Sequence, residues 1–300
     1  MNWATSIKAF KNYLILERSM SRHSVDAYVR DIKKLAAYAS TLDEPIGPQE
    51  VQMETLTKFI GTLHGIGIEA KSQARIISGI KAYYRFMSIE NLVETNPTTY
   101  LEGPKLARKL PDTLSYEEIQ LIIESMDMSL DHAHRNRAIV ETLYACGLRV
   151  TELVNLKLSC IYIEEEFIRV IGKNNKERLV PIANTALKSL LTYVEHERIH
   201  LNIASGHEDI VFLNRRGKQL SRVSIFNIVK QSVAQAGIRK NVSPHTFRHS
   251  FATHLVEGGA DLRAVQDMLG HESITTTEIY THVDTQFLRE TLMLYHPHNT

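Results

Sequence analysis

The chain has 300 residues, 43% of them hydrophobic, and its 35 Lys and Arg against 34 Asp and Glu leave a net charge of +1. That size predicts about two globular domains with real cores and excludes a disordered or collagen-like chain. The near-zero balance does not advertise a polyanion partner, although residues 1–110 are net positive and the remainder net negative. Only Cys146 and Cys160 are present, both in apolar contexts, which predicts a reducing compartment and no disulfide framework or thiolate metal site. Charges interrupt the apolar pattern of the first residues, no run reaches membrane-spanning length, and a cytoplasmic protein is expected.

Helical spacing dominates the first 90 residues, with amphipathic stretches at about 4–18, 21–36, 51–64 and 70–89 and no strand-like alternation. Ser21 is a natural N-cap for the second. In the fourth, Lys71, Arg75, Ser78, Ala82 and Arg85 form a stripe opposite Ile76, Ile77, Ile80 and Tyr84. A solvated face and a face that tracks phosphates are both compatible with that stripe. Residues 91–110 contain Pro97 and Pro104 and the basic group Lys105, Arg108 and Lys109, which reads as a linker running up to Pro111.

A second domain is expected over residues 111–295. Its first helix opens on Ser115 with Glu118 three residues later, a capping-box pattern. Further helices are predicted near 132–146, 184–198, 221–236 and 244–258. One hairpin, "EEFIRVIGKNNKERLVPI", places Phe167 to Ile171 and Leu179 to Ile182 around the tip Gly172-Lys173-Asn174-Asn175. The expected fold is mainly α with a small β-hairpin or sheet.

Within "NVSPHTFRHSFATHL", Ser243 caps a helix whose first residue is Pro244. His245 and Arg248, three apart, then share a face at the positive end of the helix, where an anion would be welcome. Phe247, Phe251 and Leu255 demand that the opposite side be buried. Gly258-Gly259 ends this helix, a second runs to Leu269, and "GH" places His271 nine positions before Tyr280. Upstream, "LYACGLRVTELVNL" turns at Gly147 and sets Arg149 three residues before Glu152, which can brace it. His254 and His282 read as structural or surface groups. His245 and His249 have metal-ligand spacing, but no H-E-x-x-H and no third ligand follow, and no nucleotide-binding glycine loop is present.

Taken together, "ACGLRVTEL", "GKNNKERLVPI", "SPHTFRHSFATHL" and "LGHESITTTEIYTHV" resemble the motifs of the tyrosine site-specific recombinases, and within them the bacterial Xer group. The resemblance spans essentially the whole chain and departs at Asn174, where glycine is commoner. It implies a two-domain DNA clamp: a helical core-binding module over residues 1–90 and a catalytic domain carrying a C-terminal tail helix. It implies the site Arg149, Lys173, His245, Arg248, His271 and Tyr280, with Tyr280 as nucleophile and neither metal nor cofactor. Lys176 stays open as a rival to Lys173 for the general acid. The partners implied are a double-stranded recombination site, a second Xer-type recombinase or another copy of the chain in a tetramer, and an FtsK-type DNA translocase. Chromosome-dimer resolution is the expected task, and integration of a mobile element by the same chemistry is the alternative. The tail's Phe287, Leu288, Met293 and Leu294 are expected to line one apolar face of a short helix, which either closes the core of its own domain or, as the resemblance implies, docks on a neighbouring recombinase.

Overall fold

The computed structural model describes residues 1–104, 112–172, 176–270 and 282–299. The chain divides into two compact units, Met1–Lys109 and Leu110–Thr300.

Among the described residues the first unit contains the helices α1 (Trp3–Leu16), α2 (Arg22–Ala39), α3 (Met53–Gly65) and α4 (Ala70–Ile89). Ser21 caps α2 as its position predicts, its side chain accepting from the Ser24 amide. Phe10, Ile32, Leu35, Leu56, Ile76 and Ile80 bury their side chains together. Tyr83 and Tyr84 join them because each hydroxyl finds an internal acceptor, Ser6 Oγ at 2.7 Å and the Pro48 carbonyl at 3.0 Å. The α4 stripe lies outward at Lys71, Arg75, Ser78 and Arg85, but Arg75 is committed to the buried carboxylate of Asp31. Gly79 lets α2 approach, since a Cβ there would stand 3.5 Å from Asp31.

The second unit contains α5 (Tyr116–Glu124), α6 (Ala133–Ala145), α7 (Val150–Val154), β1 (Ile161–Tyr162), β2 (Phe167–Ile171), β3 (Glu177–Pro181), α8 (Asn184–His196), α9 (Arg222–Gln235), α10 (Pro244–Gly258), α11 (Leu262–Leu269) and α12 (His282–Tyr295). The capping box predicted at Ser115 and Glu118 is present in both directions. Helix α6 is buried on nearly every side, which explains its run Ala138, Ile139, Val140, Leu143, Tyr144 and Ala145. The strands form an antiparallel sheet in the order β1-β2-β3, with Phe167 opposite Pro181 and Ile171 opposite Glu177. The two-residue β1 and the five-residue α7 go beyond the sequence reading; both are too short to express a period. No helix among the described residues is long and apolar enough to cross a membrane.

The tail corrects one expectation. Leu288, Thr291 and Leu292 of α12 are buried in their own unit, while Phe287, Met293 and Leu294 are exposed, so the predicted single face is split. Beyond the helix, His296 is fully buried with its ring 4.6 Å from that of Tyr144 and 5.4 Å from that of Phe251. Burial, helped by the neighbouring His298 and His254, pushes its pKa down to about 3, so the ring packs as a neutral group. Arg289 also pairs with Glu166 in the turn before β2.

Candidate active site

Three guanidinium groups meet one carboxylate in the second unit. Helix α6 ends at Gly147, whose φ of +56° turns the chain sharply. A Cβ at Gly147 would lie 2.5 Å from Phe251 Cδ1 and 3.1 Å from Leu269 Cδ2. Gly147→Ala is therefore expected to lose at least about 2 kcal/mol of stability, from a strained backbone and an overpacked core. Chemical denaturation of the variant beside the parent measures this, and an unchanged midpoint would contradict the tight turn.

Two residues beyond that turn, Arg149 occupies the N-cap of α7. Glu152, one turn into the helix, accepts the Arg149 backbone amide on Oε2 and Arg149 Nη1 on Oε1, each at 2.8 Å. From β3, Arg178 donates Nη1 to Oε1 and Nη2 to Oε2 of the same carboxylate, both at 2.9 Å. Its Nε donates to the Met268 carbonyl near the end of α11, at 2.8 Å. Arg248, on the first turns of α10, donates to the Gly147 and Leu269 carbonyls at 2.7 and 2.6 Å, and stands 3.9 Å from Glu152 Oε2. Arg149 Nη2 reaches the Gly270 carbonyl at 3.1 Å. The Leu269 carbonyl that ends α11, and the Gly147 and Gly270 carbonyls in the turns after α6 and α11, thus hold Arg248 and Arg149 in place.

Exposure separates the three guanidinium side chains. Arg149 is 38% exposed, Arg248 11% and Arg178 6%, around a Glu152 that is 2% exposed. Burial raises the Glu152 pKa, but the hydrogen bond and charge of Arg178, followed by the bonds from Arg149, outweigh it and leave the carboxylate below its usual range. Burial, and then the positive charge of Arg149, bring Arg248 down to about 10, so it remains cationic at neutral pH. One carboxylate against three guanidinium groups leaves a surplus of positive charge, and Arg149 carries it to the surface. An anion with two or more exposed oxygens suits that surplus.

Of the residues singled out in the sequence, Arg149 and Arg248 are brought together. His245 is exposed on the first turn of α10, three residues before Arg248. Lys173, His271 and Tyr280 lie outside the described residues. The chain does lead to two of them from this centre: Gly172 precedes Lys173, and Gly270, with φ +63°, precedes His271. Lys176 is exposed, and its carbonyl accepts the Gly172 amide at 2.7 Å, closing the base of the hairpin tip. His254 is structural, as expected: its Nδ1 lies 2.8 Å from the Tyr144 hydroxyl, and burial lowers its pKa.

Arg178 is the residue that sequence reasoning missed. The signal was its phase: Arg178 and Val180 point inward from β3, while Leu179 between them is only half-buried. A charged residue on the buried face of a strand requires a partner inside.

The comparisons agree with this architecture. Residues 112–286 match the Phage integrase family, and residues 7–91 match its N-terminal SAM-like domain. A protein of Chlorobaculum tepidum named Tyrosine recombinase XerD is 43% identical over 98% of this chain and 97% of its own length. The crystal structure of XerH site-specific recombinase bound to a palindromic difH substrate, a post-cleavage complex, superposes with a TM-score of 0.69 at 26% identity, covering 93% of this chain and 81% of that one. A lambda integrase dimer bound to a core site gives a TM-score of 0.71 at 18% identity over 93% of this chain and 100% of that one, a likeness of fold alone. The chain belongs to the phage integrase family, the tyrosine recombinases, enzymes that cleave and rejoin DNA strands.

Proposed function

We propose that this recombinase resolves chromosome dimers at a dif-like site during cell division, working in the cytoplasm through a 3′-phosphotyrosyl intermediate. The observation that carries the chemistry is the convergence of Arg149 and Arg248 on the Leu269–Gly270 turn, one residue before His271. In this reading both arginines hold the non-bridging oxygens of the scissile phosphate, doing the work that a metal ion would do elsewhere. The Tyr280 hydroxyl attacks phosphorus, the tyrosyl oxygen–phosphorus bond forms, and the bond to the 5′ oxygen breaks. Lys173 supplies the proton to that oxygen, while His245 and His271 hydrogen-bond the phosphate or assist proton movement. The phosphotyrosyl ester conserves the bond energy, so a 5′ hydroxyl from another strand reverses the step. The exposed arginine and lysine stripe on α4 suits a role for the first unit in tracking DNA phosphates. Assembly would place this chain with copies of itself or a second Xer-type recombinase on the site, with an FtsK-type translocase as activator.

Similarity to a protein named XerD over nearly both full lengths favours this task over integration of a mobile element. Mapping where the chain becomes covalently attached in a genome tests the choice. One site near the replication terminus is expected; attachment at the ends of a mobile element would replace the proposal with the integrase reading.

The acid has its own test. A substrate with sulfur in place of the bridging 5′ oxygen releases a thiolate, which leaves without a proton. Lys173→Ala should then recover cleavage, whereas Arg149→Ala should not. Recovery by Lys176→Ala instead would move the acid to that residue.

A further inference from the structure

We propose that Arg178 is a positioning residue for strand cleavage: without touching DNA, it sets the charge and spacing of the Arg149–Arg248 phosphate clamp. This rests on the reading of the chain as a recombinase whose two arginines grip the scissile phosphate. Arg178 itself is no phosphate ligand, since it is 6% exposed and all three of its guanidinium nitrogens donate inward.

Its position links the hairpin to the arginine clamp. Arg178 pairs with Val170 across the hairpin that carries Lys173, and its side chain runs between the two glycines that precede Lys173 and His271. A Cβ at Gly270 would come within 3.1 Å of Arg178 Cδ and Nη1; one at Gly172 would stand 3.7 Å from Nη1 and 3.7 Å from Glu152 Oε1. The bond to the Met268 carbonyl fixes the end of α11, on whose last carbonyls Arg248 and Arg149 rest. Hairpin, clamp and the approach to His271 therefore share one buried fork.

The electrostatic part follows from Glu152. With Arg178 bound to both carboxylate oxygens, the negative charge is matched inside the protein and the outer arginines keep their attraction for a phosphate. Without Arg178, the partners left to Glu152 among the described residues are Arg149 and Arg248, whose Nη1 is already 3.9 Å away. Both would be drawn to the carboxylate, and the clamp would lose positive potential and geometry together. Misplacement of this kind costs catalysis about 100-fold even when the altered residue never meets substrate.

The test uses the full chain with Arg178→Met, which keeps most of the side-chain volume, and Arg178→Lys, which keeps the charge but not the two-point grip or the bond to Met268. Thermal unfolding, binding to a half-site duplex, and single-turnover covalent adduct formation are measured for each. Two substrates are compared, the ordinary diester and a methylphosphonate, which is uncharged at the scissile position. Adduct formation on the diester should fall about 100-fold in Arg178→Met with half-site binding retained. Arg178→Lys should recover only part, and serves alone if the methionine variant does not fold. On the methylphosphonate, which asks less positive charge of the clamp, the defect should shrink to less than about tenfold. An undiminished rate on the diester, or the same defect on both substrates, overturns the inference and leaves Arg178 a structural residue. A parent chain that forms no adduct on either substrate removes the recombinase reading itself, a distinct result.

Discussion

Tyr280→Phe is expected to occupy a duplex recombination site as the parent does and to form no covalent adduct. The change removes one oxygen, and affinity for duplex DNA comes mostly from phosphate contacts spread over the protein, so binding has little to lose. On the proposed assignment of Tyr280 as nucleophile, cleavage has everything to lose, because a phenyl ring offers no nucleophile and the arginines would hold a phosphate that nothing attacks. Removing the nucleophile of a covalent catalyst costs on the order of a million-fold in rate, far below what a denaturing gel detects. Adduct persisting in this variant would move the attack to another hydroxyl, and peptide mapping of the linked residue would identify it.

Glu152→Gln is expected to cost about 3–5 kcal/mol of stability at neutral pH, because it takes from the buried Arg178, beside Arg149 and Arg248, the carboxylate that it binds at two points. For a unit of this size that corresponds to a fall in melting temperature on the order of 10 °C. The effect carries a pH signature. The Glu152 pKa lies below its ordinary value of 4.5 in the folded protein, so the carboxylate contributes stability that is fully present above 4.5 and lost as pH falls through its own lower value. Glutamine does not titrate there. The gap between parent and variant should therefore be constant from neutral pH down to about 5 and close on further acidification. Unfolding curves over that range measure it, and a gap that persists at low pH would mean that packing, not charge, supplies the difference.

What could be read in the sequence was what neighbouring residues decide among themselves. The Ser115–Glu118 box, the start of α10 at Ser243 and Pro244, and its end at Gly259 depend on groups within a few positions, and each is found where expected. Arg149 and Glu152, three apart, were legible as a pair for the same reason. The other half of that centre was not. Glu152 meets Arg178 across 26 positions, and Arg178 meets Met268 across 90, so neither contact leaves a local pattern. An arginine in "KERLVPI" looks like one more surface cation until the strand is given its phase. The tail shows the same limit: apolar residues at 287, 288, 293 and 294 suggest a stripe, but only the packing of the second unit decides that Leu288 turns inward and the other three do not.

That division of α12 gives its positions different freedoms. A change at Leu288 or Leu292 disturbs the interior at once, at the price of a large-to-small core substitution, roughly 2–5 kcal/mol for alanine. A change at Phe287, Met293 or Leu294 falls on exposed surface, where substitutions usually shift stability by no more than about 0.5 kcal/mol. The outer three positions can therefore diverge between related chains while the inner ones stay fixed, so the same helix can keep one fold and acquire many different exteriors.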